Sequence, residues 1–165
     1  MKKSRMIIFL MLLSLLIFTP SAKAASKVTT TVKNARTLYY GVQKKKKKLK
    51  TITSDGCRDY YQGKWLRMTY VFKTSDLCSP NKCRAEFYYD KKLRPIFVFA
   101  WKKVNGKKKE YRSYYGTNGR CYRYIGPDHK VHNYKNGRTR EKMSSMQSTM
   151  MLKAYMNLHY LGYID

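Results

Sequence analysis

Acidic residues are scarce in this sequence. Nine Asp and Glu stand against 36 Lys and Arg in 165 residues, giving a formal net charge of +27. Paired carboxylates for acid–base chemistry are correspondingly rare. Asp55 and Asp59 are close enough to be weighed as the two carboxyls of a glycosidase-like centre, but Gly56 and Arg58 beside them read as a turn, where Asp bonds its own backbone. Histidine is rarer still, with three in the chain. His129 and His132 have His-x-x-His spacing, yet a metal centre would still need a third ligand and an outer-shell carboxylate. His159 comes with no nucleophile motif. A nucleophile elbow, a glycine-rich phosphate loop and a His-Glu-x-x-His helix are all missing. Nothing in the residue pattern argues for an enzyme, a cofactor or a metal.

A long apolar run occurs once, from Met6 to Phe18 and broken only by Ser14. Lys2, Lys3 and Arg5 precede it. Thr19-Pro20 ends it, and Ala22-Lys23-Ala24 supplies the small residues that a signal peptidase reads. This order predicts a secretory signal peptide over residues 1–24, with the mature chain starting near Ala25. A membrane anchor needs about 20 apolar residues, more than the run provides, and no Cys stands at the cleavage site to carry a lipid. Losing Lys2, Lys3, Arg5 and Lys23 lowers the net charge from +27 to +23. Residues 25–165 are then a single secreted domain, extracellular or held at the cell wall. A domain of that size can bury roughly two-thirds of its unfolded surface.

Cysteines are few but even in number: Cys57, Cys78, Cys83 and Cys121. In an exported domain four cysteines read as two disulfides with three possible pairings. The favoured pairing closes the Ser79-Pro80-Asn81-Lys82 loop with Cys78–Cys83 and ties distant strands with Cys57–Cys121. A long-range bridge of that kind would contribute about 3–5 kcal/mol. Zinc is disfavoured, because one Cys-x4-Cys has no second close pair.

What the chain has in quantity is aromatic and basic. Its 16 Tyr, 6 Phe and 2 Trp suit strands. Val28, Val32, Ala35, Tyr39 and Val42 recur at helical intervals and predict a helix over about 28–43. It runs into Lys44, Lys45, Lys46, Lys47 and Lys48, a block expected to be solvated. From about 51 to 125 the pattern is that of short strands. Trp65–Lys73 alternates, with Leu66, Met68, Tyr70 and Phe72 on one face. Arg84–Asp90 follows, and then Ile96–Trp101, apolar on both faces and so expected to be central and doubly covered. Asn105-Gly106 is a type I′ hairpin signal, Glu110–Tyr115 returns, Asn118-Gly119 turns again and Cys121–Ile125 closes the run. Consecutive hairpins predict an antiparallel meander. After a break at Asn136-Gly137, Thr139 caps a second helix with Glu141 in its first turn. Met143, Met146, Met150, Ala154, Leu158 and Leu161 form its stripe, and Gly162 stops it. The fold class is α+β: a meander of about five or six strands flanked by an N-terminal helix and a C-terminal helix over about 139–161.

Phe87-Tyr88-Tyr89-Asp90-Lys91-Lys92-Leu93 and Glu110-Tyr111-Arg112-Ser113-Tyr114-Tyr115-Gly116 share an aromatic-then-turn rhythm. With Phe97-Val98-Phe99 and Arg123-Tyr124-Ile125, they make the chain resemble a group of uncharacterised secreted proteins of Gram-positive bacteria. The resemblance covers roughly residues 28–125. It implies export and an N-terminal helix on an aromatic β-meander, and it carries no catalytic residue.

The charge and the aromatics point to a binder of polyanions. Lys107, Lys108 and Lys109 join the Lys44–Lys48 block as the main attraction. Tyr114, Tyr122 and Tyr124, rimmed by Arg112, Arg120 and Arg123, are expected to form a flat platform that stacks sugars or bases. The expected partners are anionic cell-wall polymers or an acidic membrane surface, with nucleic acid bound only non-specifically. Three rival functions remain open: a cationic antibacterial or toxin-like effector on acidic membranes, an enzyme on an acidic wall polymer and an inhibitor of an acidic protein.

Overall fold

The computed structural model describes residues 26–54, 56–72, 83–143, 145–160 and Gly162, with backbone alone for Cys83 and for 145–148, 150, 157 and 160. The expected signal peptide, the Cys78–Cys83 bridge, the Met146 and Met150 side chains and Leu161 lie outside the described part.

Helix α1 spans Lys27–Lys45. Ser26 caps it, with Oγ accepting from the Thr29 N–H at 3.2 Å and so satisfying one of the four orphan donors of the first turn. Val32, Ala35 and Val42 are buried beneath it. Lys44 and Lys45 occupy its last turn, where cations suit the helix dipole, and Lys46–Lys48 continue as a 3-10 turn.

Eight strands follow: β1 Lys50–Ser54, β2 Cys57–Gln62, β3 Trp65–Val71, β4 Cys83–Tyr89, β5 Pro95–Val104, β6 Lys107–Tyr115, β7 Cys121–Ile125 and β8 Val131–Arg138. They form one antiparallel sheet in sequence order. The class is α+β, as expected, but the strands number eight rather than five or six. β1 is exposed along its whole length and β8 is exposed except at Tyr134 and Gly137. Edge strands of that kind lack the alternation that reveals a half-buried strand.

β5 is central and covered on both sides. On one face Phe97 packs with Tyr88, Tyr114 and the α1 residues Val32, Ala35 and Val42. On the other, Val98 and Ala100 join Leu66, Phe87, Tyr89, Tyr115 and a second helix, α2, Ser145–Tyr160. Met143, Ala154 and Leu158 are buried there, joined by Met151. The helix starts later than expected, because Thr139 leads into a 3-10 turn at Arg140–Lys142. Gly162 does end it, at φ 69°, with its N–H reaching the His159 carbonyl at 2.8 Å.

The antiparallel pairing is interrupted at one residue in each of three strands, β3, β5 and β7. The pairing skips Arg67 between β2 and β3, Ile96 between β4 and β5, and Tyr122 between β6 and β7. An extra residue bends its strand and increases the local twist. The skip at Arg67 also corrects the expected face of β3. Leu66 lies in the layer under α2 with Val71, whereas Met68 lies under α1. Asn136-Gly137, expected as a break, lies within β8 instead. Gly137 has φ 68°, and a Cβ there would come within 2.7 Å of Arg120 Cβ, so glycine lets β8 pass close to β7.

Among the described residues no disulfide forms, which corrects the expected Cys57–Cys121 bridge. β2 and β7 are five positions apart in the sheet, roughly 24 Å along it. A bridge needs Cα atoms within about 7 Å. The Cys121 thiol instead donates to the Arg123 carbonyl at 3.3 Å.

Candidate polyanion-binding face

The β5–β6 hairpin turns at Asn105 and Gly106, both with positive φ (49° and 74°), as a type I′ turn requires. Its register sets Lys102 opposite Lys109 and Lys103 opposite Lys108, with Lys107 opposite Val104. Like charges directly opposite one another destabilise a ribbon, and this one carries two such pairs in succession. Lys103 and Lys108 share the α1 face of the sheet with Phe99, Trp101, Glu110 and Arg112.

From the foot of the ribbon an aromatic row crosses the sheet. Phe99 and Trp101 stack with ring centroids 5.0 Å apart. Trp101 and Tyr70 lie nearly parallel at 6.2 Å, and Tyr70 meets Phe72 at 5.9 Å. Cations sit over these rings. Lys108 Nζ is 5.3 Å from the Trp101 centroid and 5.7 Å from Phe99, and the Arg112 guanidinium is 5.5 Å from Phe99. At the other end Lys46 Nζ lies over Tyr60 and Tyr70, at 5.0 and 5.7 Å. Positions within about 6 Å of a ring face are attractive.

Two carboxylates hold these cations in place. Glu110 accepts from Lys108 and from Arg112, each at 2.7 Å. The hydrogen bond from Lys108, together with both positive charges, lowers its carboxyl below the ordinary range despite partial burial. Glu86 faces Lys46 at 3.6 Å and accepts the Tyr88 hydroxyl at 2.6 Å. Gln43 Nε2 donates to the same Tyr88 oxygen at 2.7 Å, which links α1 to β4. Burial, with Glu86 beside it, raises the Tyr88 phenol far above its usual value.

The expected lysine block divides. Lys46 turns toward the aromatic row, while Lys44, Lys45 and Lys48 line a shallow cavity of ≈ 560 Å³ with Lys50 and Tyr61. The expected tyrosine platform does not form. Tyr114 and Tyr122 are buried, at 6% and 5% exposure, and Tyr124 is half-buried against the α2-side core. Burial pushes the Tyr124 phenol up to about 12. Arg112 does stand on the aromatic row. Arg120 instead donates to the Asn136 carbonyl at 3.2 Å and Arg123 to Asn133 Oδ1 at 2.7 Å, both toward β8. Sequence reading missed Tyr70, Phe99 and Trp101. The odd-numbered residues of β5 facing Lys108, Glu110 and Arg112 were the available signal.

Asp59 is 1% exposed in the α2-side layer and accepts the Thr69 hydroxyl at 2.5 Å, and its possible partner Asp55 is outside the described residues. His129 and His132 are exposed. Among the described residues no group of three or more His, Cys, Asp and Glu gathers that could hold a metal, and no helix is long and apolar enough to cross a membrane. No protein-family model, curated protein or solved structure matches the chain.

Proposed function

We propose that this chain is a non-catalytic, exported basic protein that holds polyanions at the bacterial cell envelope, chiefly through charge. The observation that carries the reading is the lysine register of the β5–β6 ribbon. Two consecutive like-charge pairs lower the stability of an isolated ribbon, and a bound polyanion removes that repulsion. Of these, Lys103 and Lys108 lead onto a row of aromatic rings already capped by cations, so charge and ring faces form one surface. Lys44, Lys45, Lys48 and Lys50 add a second basic patch beyond it. Such a surface follows a charged backbone without reading a sequence.

The test is co-sedimentation with purified cell-wall sacculi, with and without their anionic polymers, across a salt series. Binding should require the polymers, and log affinity should fall with log salt. Binding that is indifferent to both would contradict the reading.

A further inference from the structure

A groove of ≈ 260 Å³ opens between α1 and the β5–β6 pair, lined by Arg36, Tyr39, Tyr40, Phe99, Arg112 and Tyr114 among others. We propose that this groove is a subsite for one ring of an anionic sugar chain. The inference rests on the polyanion reading above and gives that ligand a chemical class.

Size comes first. Pockets for drug-sized ligands run to about 300–1,000 Å³, so this groove suits a single ring and leaves the rest of a chain to run out along the sheet. Its walls are the faces and edges of aromatic rings, with Tyr39 meeting Phe97 edge-on at 5.7 Å and Phe97 meeting Tyr114 at 4.9 Å. The negative face of an aromatic ring attracts the electropositive C–H edge of a sugar. Tyr40 stands at the rim with 65% of its surface exposed, a large apolar exposure on the helix beside the groove.

Charge comes second. Arg36 reaches the groove from α1 and Arg112 from β6. Arg112 is oriented by Glu110. Guanidinium forks of this kind take carboxylate or phosphate groups in two-point contacts.

The carboxylates on this face are already engaged, Glu110 with Lys108 and Arg112, and Glu86 with Lys46 and Tyr88. Phe99 pairs with Glu86 on one side and Arg112 on the other, and Glu110 lies two residues from Arg112. Two of the chain's nine acidic residues therefore stand on this face. A carboxylate repels any anionic chain, so these two serve the site by fixing its cations. The tyrosine hydroxyls at the groove are the groups that can exchange hydrogen bonds with sugar hydroxyls. A hydroxyl-rich anionic ring uses the ring faces, the phenol groups and the guanidiniums that line the groove.

The experiment compares three probes on the exported chain by titration: oligogalacturonate, inorganic polyphosphate of matched charge and oligothymidylate. Oligogalacturonate should bind about tenfold tighter than polyphosphate, a difference of about 1.4 kcal/mol. Arg36→Ala and Tyr40→Ala, both at exposed positions and so expected to fold, should each bring that preference close to one. Equal binding of oligogalacturonate and polyphosphate, or a preference that survives both substitutions, would overturn the groove assignment and leave the polyanion reading standing. Tightest binding of oligothymidylate would overturn it in favour of nucleic acid. Failure of all three probes to bind would remove the polyanion reading itself.

Discussion

Tyr88 and Glu110 show how single side chains carry this architecture. The Tyr88 hydroxyl joins Gln43 of α1 to Glu86 of β4 through bonds of 2.7 and 2.6 Å in a largely apolar layer. Tyr88→Phe keeps the ring and leaves the Gln43 amide and the Glu86 carboxylate each short of a partner. It should lower stability by about 1–3 kcal/mol, read from urea unfolding, and an unchanged midpoint would show that the link carries no weight. Glu110 makes the pH prediction. Its folded carboxyl is lowered, first by the Lys108 hydrogen bond, so its contribution is present above the unfolded value of about 4.3. It is lost as pH falls through the lowered folded value. Glu110→Gln should therefore melt earlier than the parent at pH 7, and the two curves should converge below about pH 4. At this scale the sequence was a partial guide. It singled out Arg112 and Lys108, but it placed Tyr114 and Tyr122 on a surface when both are core residues. Tyrosine suits an apolar layer and a wet one alike, and its position in a strand does not say which.

Among the elements, the β5–β6 ribbon and α2 make opposite statements about stability. Lys103→Glu would turn the Lys103–Lys108 pair from repulsive to attractive. It should raise the melting temperature, with a gain of about 0.2–1 kcal/mol, while weakening polyanion binding. A variant that gained in both would break the link between ribbon charge and function. α2 is held by apolar packing instead: Leu158 is fully buried, and the Tyr89 hydroxyl reaches the Ala154 carbonyl at 3.1 Å. Leu158→Ala should cost about 2–5 kcal/mol by denaturant unfolding, and a loss well under that would mean that the helix is not docked as described. Elements with a clear period were legible. α1, the doubly apolar β5 and the Asn105-Gly106 hairpin all follow from local patterning. β1 and β8 were not, since exposed edges carry no apolar alternation. The bulge at Arg67 was not either, because one skipped residue moves Leu66 to the opposite face and leaves no mark in composition.

For the molecule as a whole, a meander whose every strand pairs with its sequence neighbours is covered by α1 on one face and α2 on the other. The aromatic core is therefore closed off, and excess positive charge is left to the surface. The α+β class and the nearest-neighbour antiparallel order were readable from successive turn signals. The register shifts at Arg67, Ile96 and Tyr122 leave no mark in composition and were not. The central claim is that ribbon lysines contact the bound polymer directly. It is tested most directly by the salt dependence of polyphosphate binding in the parent and in Lys103→Gln/Lys108→Gln, the ribbon pair on the aromatic face. If both lysines displace counterions, the slope of log affinity against log salt should shrink by about 1.4, roughly 0.7 per contact. An unchanged slope, with the variant still folded, would contradict the account and put the polymer elsewhere on the protein.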